Sequence, residues 1–246
     1  MMNNYLLTLM YDGSRFHGWQ VQPNAVTVQQ VLQDAIERIL GVRENVNGCS
    51  RTDAGVHANM FCCNMRTERE LDCDGFKKSL NAVLPDSVAV TEVKGVDYDF
   101  HARYDCKSKR YKYLIFNREY LNPFYVGRAL HYPYRLDADL LNSEAQDFLG
   151  THDFSAFCSA DSSVEDKTRT VKEISVRRSG DLVEISVEAD GFLYNMVRII
   201  VGTLLDINSG KLARGSITDI IESRDRSRAG VTAKACGLYL DYVNYN

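Results

Sequence analysis

No stretch of this 246-residue chain stays apolar for the roughly 18 residues that a membrane-spanning helix requires. The N-terminus, Met1-Met2-Asn3-Asn4-Tyr5, has neither a basic lead nor a small-residue cleavage site, so the sequence predicts a soluble protein that is not exported. No two cysteines have C-x-x-C spacing, no histidines follow any cysteine at zinc-finger distances, and no two histidines stand four residues apart. There is no G-x-G-x-x-G and no Walker-type phosphate loop. These absences argue against a membrane protein, a zinc-finger module and a nucleotide-cofactor enzyme, and they predict no metal and no small-molecule cofactor. Low-complexity segments and repeats are also missing. The seven cysteines are odd in number, so they read as reduced thiols acting as small hydrophobes in a reducing, cytoplasmic compartment.

What is present is enough for a substantial core: 45% of the residues are hydrophobic, which suits one large domain or two small ones. The net charge of −4 runs against a nucleic-acid partner, yet it hides a local excess. From Arg103 to Arg118 the positive residues are Arg103, Lys107, Lys109, Arg110, Lys112 and Arg118, against Asp105 alone, with Tyr104, Tyr111, Tyr113 and Phe116 interleaved. Basic side chains attract phosphates and aromatic faces stack bases. A strand with a solvated basic face fits the same pattern. As a strand, it would place Lys107, Lys109 and Tyr111 on one face and Arg110 and Lys112 on the other.

Periodicity divides the chain into two halves, 1–104 and 105–246. Tyr5–Tyr11 reads as a strand ending at Asp12-Gly13. Thr27 caps a helix whose Val28, Val31, Leu32, Ala35, Ile36, Ile39 and Leu40 share a face, with Gly41 as its stop. A strand at Glu44–Cys49, a loop at Arg51–Val56, a strand at Asn59–Met65, a helix from Asp72 to Val83 and a strand at Val88–Val93 follow. In the second half, Ser108–Phe116 is a long strand and Asp137–Leu149 a helix closed by Gly150. Asp161–Lys167 is polar and reads as a mobile loop. Val171–Arg178 and Leu182–Ala189 form a hairpin about Gly180-Asp181. Phe192–Ile207 is apolar all round and predicts a buried helix. Ser216 opens a capping box, and Leu238–Val243 is a final strand. Hairpins in place of strict β-α-β alternation predict an α+β fold with antiparallel sheets.

The segment Gly48–Ala58, GCSRTDAGVHA, is rich in small residues and carries Arg51, Asp53 and His57. Small residues let a bulky partner approach the backbone. A carboxylate out of water needs a partner, and Arg51 is one candidate. A tight turn with a local ion pair explains the segment equally well.

The string Ser50-Arg51-Thr52-Asp53-Ala54-Gly55-Val56-His57-Ala58 is similar to the signature of the tRNA pseudouridine synthase A family. The resemblance extends to Tyr11-Asp12-Gly13 with Phe16-His17-Gly18-Trp19-Gln20, to Asp99–Arg103 and Lys109–Tyr113, and to Gly191–Arg198 and Gly237–Leu240, in the family's order. It implies two α/β halves whose antiparallel sheets join into one extended sheet flanked by helices. It implies a homodimeric isomerase that converts uridine to pseudouridine at nucleotides 38 to 40 of the tRNA anticodon arm. Asp53 stands at the family's essential aspartate, Tyr111 at the tyrosine that packs on the target base, and Arg51 and Arg198 at arginines near the aspartate. Lys107 and Lys109 are expected on the RNA backbone. Two departures stand out: Phe61-Cys62-Cys63 where a glutamine and aliphatic residues are common, and Asn195 where histidine is commoner. The rivals are a non-catalytic RNA-binding module using the basic strand, and a metal-dependent hydrolase built on Asp53, His57 and His101.

Overall fold

The computed structural model describes residues 2–160 and 164–246. Residues 161–163 of the polar segment expected to be a loop lie outside the described residues. The chain separates into two compact units, Met1–Lys107 with Tyr239–Asn246, and Ser108–Leu238. Linear order assigns the last strand to the second half; the structure groups Tyr239–Asn246 with the first.

In the first unit, β1 (Asn3–Tyr11) lies between β3 (His57–Thr67) and β4 (Val88–Val96), antiparallel to both. The short β2 (Val46–Gly48) also pairs with β3, antiparallel. β10 (Leu238–Asn244) runs parallel to β3, with Tyr239 opposite His57 and Leu240 opposite Ala58. The helix read from Thr27 to Gly41 forms as α1 (Val28–Leu40). Thr27 accepts from the Gln30 N–H, and Gly41, at φ 72°, closes the last turn by donating to Glu37. Val28, Leu32, Ala35, Ile36 and Leu40 are buried, each larger side chain contributing about 1.5–3 kcal/mol. α2 (Cys73–Val83) starts after Asp72 as expected, but the Asp72 side chain makes no capping bond.

In the second unit, β5 (Ser108–Phe116), β9 (Leu182–Ala189), β8 (Thr168–Ser179) and β7 (Gly150–Asp153) lie side by side in that order, each pair antiparallel. The two-residue β6 (Leu130–His131) adds a parallel pairing to β5. The hairpin between β8 and β9 turns at Gly180-Asp181, with Ser179 opposite Leu182. α3 (Ala138–Ala145) begins under an Asp137 cap and tightens into a 3-10 turn before Gly150, at φ 100°. α4 (Met196–Asn208) is buried nearly all round, as its composition requires, but starts four residues later than Phe192. Asn195 takes a left-handed φ of 62°, which a continuing helix cannot contain. The capping box expected at Ser216 does not form ahead of α5 (Ile217–Ser223): Ser216 donates its hydroxyl back to Ala213 instead. Both units combine sheet and helix, giving the α+β class expected from the hairpin pattern.

Candidate active site

The Asp53 segment is a loop between β2 and β3, and the first unit holds it from beneath. Asp53 is half-buried and Arg51 exposed. The Val56 N–H donates to the Asp53 carbonyl at 3.2 Å, closing a turn whose third residue, Gly55, sits at φ 78°. That conformation favours glycine. The motif after β1 supplies the rest of the cradle. The Trp19 N–H donates to the Thr52 carbonyl at 3.0 Å, and the Gly55 N–H donates to the Phe16 carbonyl at 3.2 Å. The Tyr11 and Thr52 hydroxyls are 2.8 Å apart in the interior. Gly13 and Gly18 explain the small residues of this motif. A Cβ on Gly13 would stand 1.9 Å from the Val56 carbonyl oxygen, and one on Gly18 2.5 Å from that of Thr52.

His57 is 2% exposed, and its ring stacks on Tyr239 at 4.5 Å. Its Nδ1 accepts from the Gly13 N–H at 3.1 Å, while an Asp12 carboxylate oxygen lies 3.3 Å from the same nitrogen. His101 Nδ1 accepts from the Arg103 N–H in its own turn. Among the described residues no three His, Cys, Asp or Glu side chains group as metal ligands. The hydrolase reading on Asp53, His57 and His101 therefore has no ligand set here.

Phe61 is fully buried and stacked on Trp19, ring centroids 4.0 Å apart. Cys62 and Cys63 are buried beside it, and burial pushes both thiols up, Cys62 to about 11. The Phe61-Cys62-Cys63 departure thus belongs to the core of this unit. Both side chains pack there as small hydrophobes.

The second unit carries the basic strand. Tyr111 is 6% exposed and meets Phe192 edge-on at 4.9 Å, the packing of a core tyrosine. Arg110 is 2.9 Å from Glu188 and Lys112 3.6 Å from Glu184, so β9 supplies carboxylates to these two. The Glu188 carboxyl feels burial, which raises it, but bonds from Ser108 and Arg110 prevail and hold it below its usual range. Lys109 faces Ala189 across the ladder, with no carboxylate opposite. Lys107 lies outside β5, and its N–H donates to the Asn244 carbonyl in the first unit. The strand alternation that would set its face therefore stops short of it.

Arg198 sits in the first turn of α4. Its Nε donates to the Ala233 carbonyl at 2.7 Å and its Nη1 to the Asn195 side-chain oxygen at 2.6 Å. Asn195 also donates to the Ser159 hydroxyl at 2.9 Å. Asn195, assigned no role from sequence, thus helps the Ala233 carbonyl to hold Arg198. Thr52, Ser159 and Glu188 were also passed over. Their signal is long-range: each contacts a residue tens of positions away.

This chain belongs to the tRNA pseudouridine synthase family, whose model matches residues 8–105 and 145–246. It is 45% identical over 244 residues to the tRNA pseudouridine synthase A of Thermoanaerobacter sp. (strain X514), covering 99% of this chain and 100% of that protein. The protein of the same name from Acetivibrio thermocellus is 46% identical over 244 residues, and that from Clostridium kluyveri 42% over 246, with the same coverage. The family is one of isomerases, so a purely RNA-binding module does not describe the chain. Among the described residues no helix is long and apolar enough to cross a membrane.

Proposed function

We propose that this protein isomerises uridine to pseudouridine at nucleotides 38 to 40 of the tRNA anticodon arm, in the cytoplasm, with the Asp53 carboxylate acting at C1′. The observation that carries this reading is the Asp53 loop: a half-buried carboxylate on a turn whose backbone is pinned by the Tyr11–Trp19 motif. The reaction breaks N1–C1′, turns the base and forms C5–C1′. The C5 proton leaves and N1 is protonated, so product and substrate are isomers and no redox or energy source enters. Breaking a glycosidic bond develops positive charge at C1′, which a carboxylate offsets by charge or by a covalent bond. Extruding the uridine costs a few kcal/mol, and a base–aromatic stack returns about 1–3. Tyr111, held edge-on by Phe192, is proposed for that stack. Arg51, Arg198, Lys107 and Lys109 are proposed for the RNA backbone and the carboxylate's surroundings. Tyr111 and Lys109 fall between the two segments matched by the family model, but inside the full-length relatives.

Tritium release from tRNA labelled at uracil C5 tests the reaction. Release is expected with or without a chelator; binding without release contradicts the proposed reaction, and release that a chelator abolishes contradicts a metal-free one. Transcripts bearing one uridine at each of the three positions then map preference.

The basic strand gives a second test. Losing one phosphate contact lowers the salt slope of binding by about one unit. Lys109→Ala is expected to do so while leaving the saturated single-turnover rate nearly unchanged. Arg110→Ala should leave the slope alone, because Arg110 already faces Glu188. Tyr111→Leu, close in burial but without an aromatic face, should cut the saturated rate and spare the slope. A slope that falls for Arg110→Ala and not for Lys109→Ala would reverse the assignment of faces.

The active form is proposed to be a homodimer, since an acidic chain of net charge −4 offers limited basic surface to an anionic substrate. Sedimentation of active enzyme at working concentration checks this, and a fully active monomer contradicts it.

A further inference from the structure

Thr52 immediately precedes Asp53 and is buried. Its carbonyl and its hydroxyl are both bonded to the strand-and-turn segment at the start of the chain. The Thr52 carbonyl, part of the peptide that leads into Asp53, accepts from the Trp19 N–H at 3.0 Å. The Thr52 hydroxyl meets the Tyr11 hydroxyl at 2.8 Å, across 41 residues of sequence. Tyr11 is itself fixed. It ends β1, and its position opposite Ala58 follows a bulge in which Asn59 and Met60 oppose Met10. Bulges of this kind re-aim a side chain. Its ring lies 5.7 Å from Phe61, which stacks on Trp19.

We propose that Tyr11 is a positioning residue for the isomerisation: its hydroxyl, bonded to Thr52, locks the peptide entering Asp53 and so fixes where the carboxylate stands. A buried hydroxyl keeps its partner because losing it leaves a desolvated polar group behind. That makes the pair a two-ended anchor holding the Thr52 side chain in one rotamer. The carbonyl bond from Trp19 sets the tilt of the same peptide, and the Tyr11 bond stops it from sliding. A displacement of about 1 Å in a reacting group costs as much as 10²-fold in rate, so the loss of one remote hydroxyl reads out in the chemical step. The proposal rests on Asp53 being the catalytic carboxylate.

The test uses the full chain and compares Tyr11→Phe, Thr52→Val, Thr52→Ser and the Tyr11→Phe/Thr52→Val double variant. Saturated single-turnover rate, tRNA binding and melting temperature are measured for each. The expected result is a roughly 10- to 100-fold lower rate in Tyr11→Phe and Thr52→Val, with binding within about twofold of wild type. Thr52→Ser, which keeps the hydroxyl, stays near wild type. The double variant is no slower than the slower single, because both changes remove one interaction. A wild-type rate in Tyr11→Phe, or losses that multiply in the double variant, overturns the proposal. Where Tyr11→Phe melts early, the Thr52 pair decides, and equal rates for Thr52→Ser and Thr52→Val overturn it. Asp53→Asn is run alongside. Retained activity there removes the Asp53 reading itself, whereas an inactive Asp53→Asn beside a fully active Tyr11→Phe removes the positioning role alone.

Discussion

Asp53→Asn is expected to lower the saturated isomerisation rate on the order of 10³-fold or more, about 4 kcal/mol of transition-state stabilisation, while tRNA still binds. The amide nearly matches the carboxylate in shape but carries no charge to place against C1′. Folding should survive, because the change is nearly isosteric and backbone bonds help to hold the turn. They run from Val56 N–H to the Asp53 carbonyl, from Gly55 N–H to Phe16, and from Trp19 N–H to Thr52. Binding should survive because phosphate contacts supply most of the affinity for RNA, and a neutral residue in place of an anion adds no repulsion. The two readouts are single-turnover pseudouridine formation at saturating enzyme and direct tRNA binding. Turnover above a few per cent of wild type would move the chemistry to another residue.

Gly13→Ala is expected to damage both stability and rate. Its Cβ would stand 1.9 Å from the Val56 carbonyl oxygen and 2.4 Å from the carbon of the same group, all backbone atoms that cannot swing aside. Relief requires the Asp12–Gly13 turn to part from the Asp53 loop. That loosens the Gly13 N–H bond to His57, the residue that follows the Asp53–Val56 turn. Overpacking of this kind costs about 1–3 kcal/mol, which in a chain of this size lowers the melting temperature by roughly 2–12 °C. The rate is expected to fall by up to about 10²-fold as the carboxylate shifts. Gly41→Ala is the control. Gly41 ends α1 at φ 72° with nothing within 4 Å of an added Cβ, so it carries only the left-handed backbone cost, roughly 1 kcal/mol. Its melting temperature should drop slightly and its saturated rate should not change. Equal rate losses in the two variants would mean that general destabilisation, and not the loop, limits the reaction.

Local features were legible wherever one residue type satisfies one local need. The α1 boundaries follow from a Thr27 hydroxyl that satisfies an otherwise orphan N–H and a Gly41 that tolerates the left-handed turn. The β8–β9 hairpin follows from alternation about Gly180-Asp181. Where the same residue type has competing local partners, sequence alone does not choose between them. Ser216 bonds backwards instead of capping, and Asn195 leaves the helix it was expected to join. The string around Asp53 pointed to the family because it is a contiguous motif.

By itself, then, the sequence determined the family, the α+β class and the main helices and hairpin, and it pointed to Asp53 as the carboxylate to test. Each depends on periodicity, on a single cap or turn, or on a contiguous motif. Only the tertiary structure decided which residues hold that carboxylate's loop. Tyr11 reaches Thr52 across 41 positions, and β10 comes back to pair with β3 in the first unit. It also decided that Arg110 and Lys112 are matched to Glu188 and Glu184, and that Asn195 grips Arg198. The reason is physical. A hydrogen bond or ion pair is fixed by distance in space, and the folded backbone sets that distance between residues whose order in the chain carries no record of it.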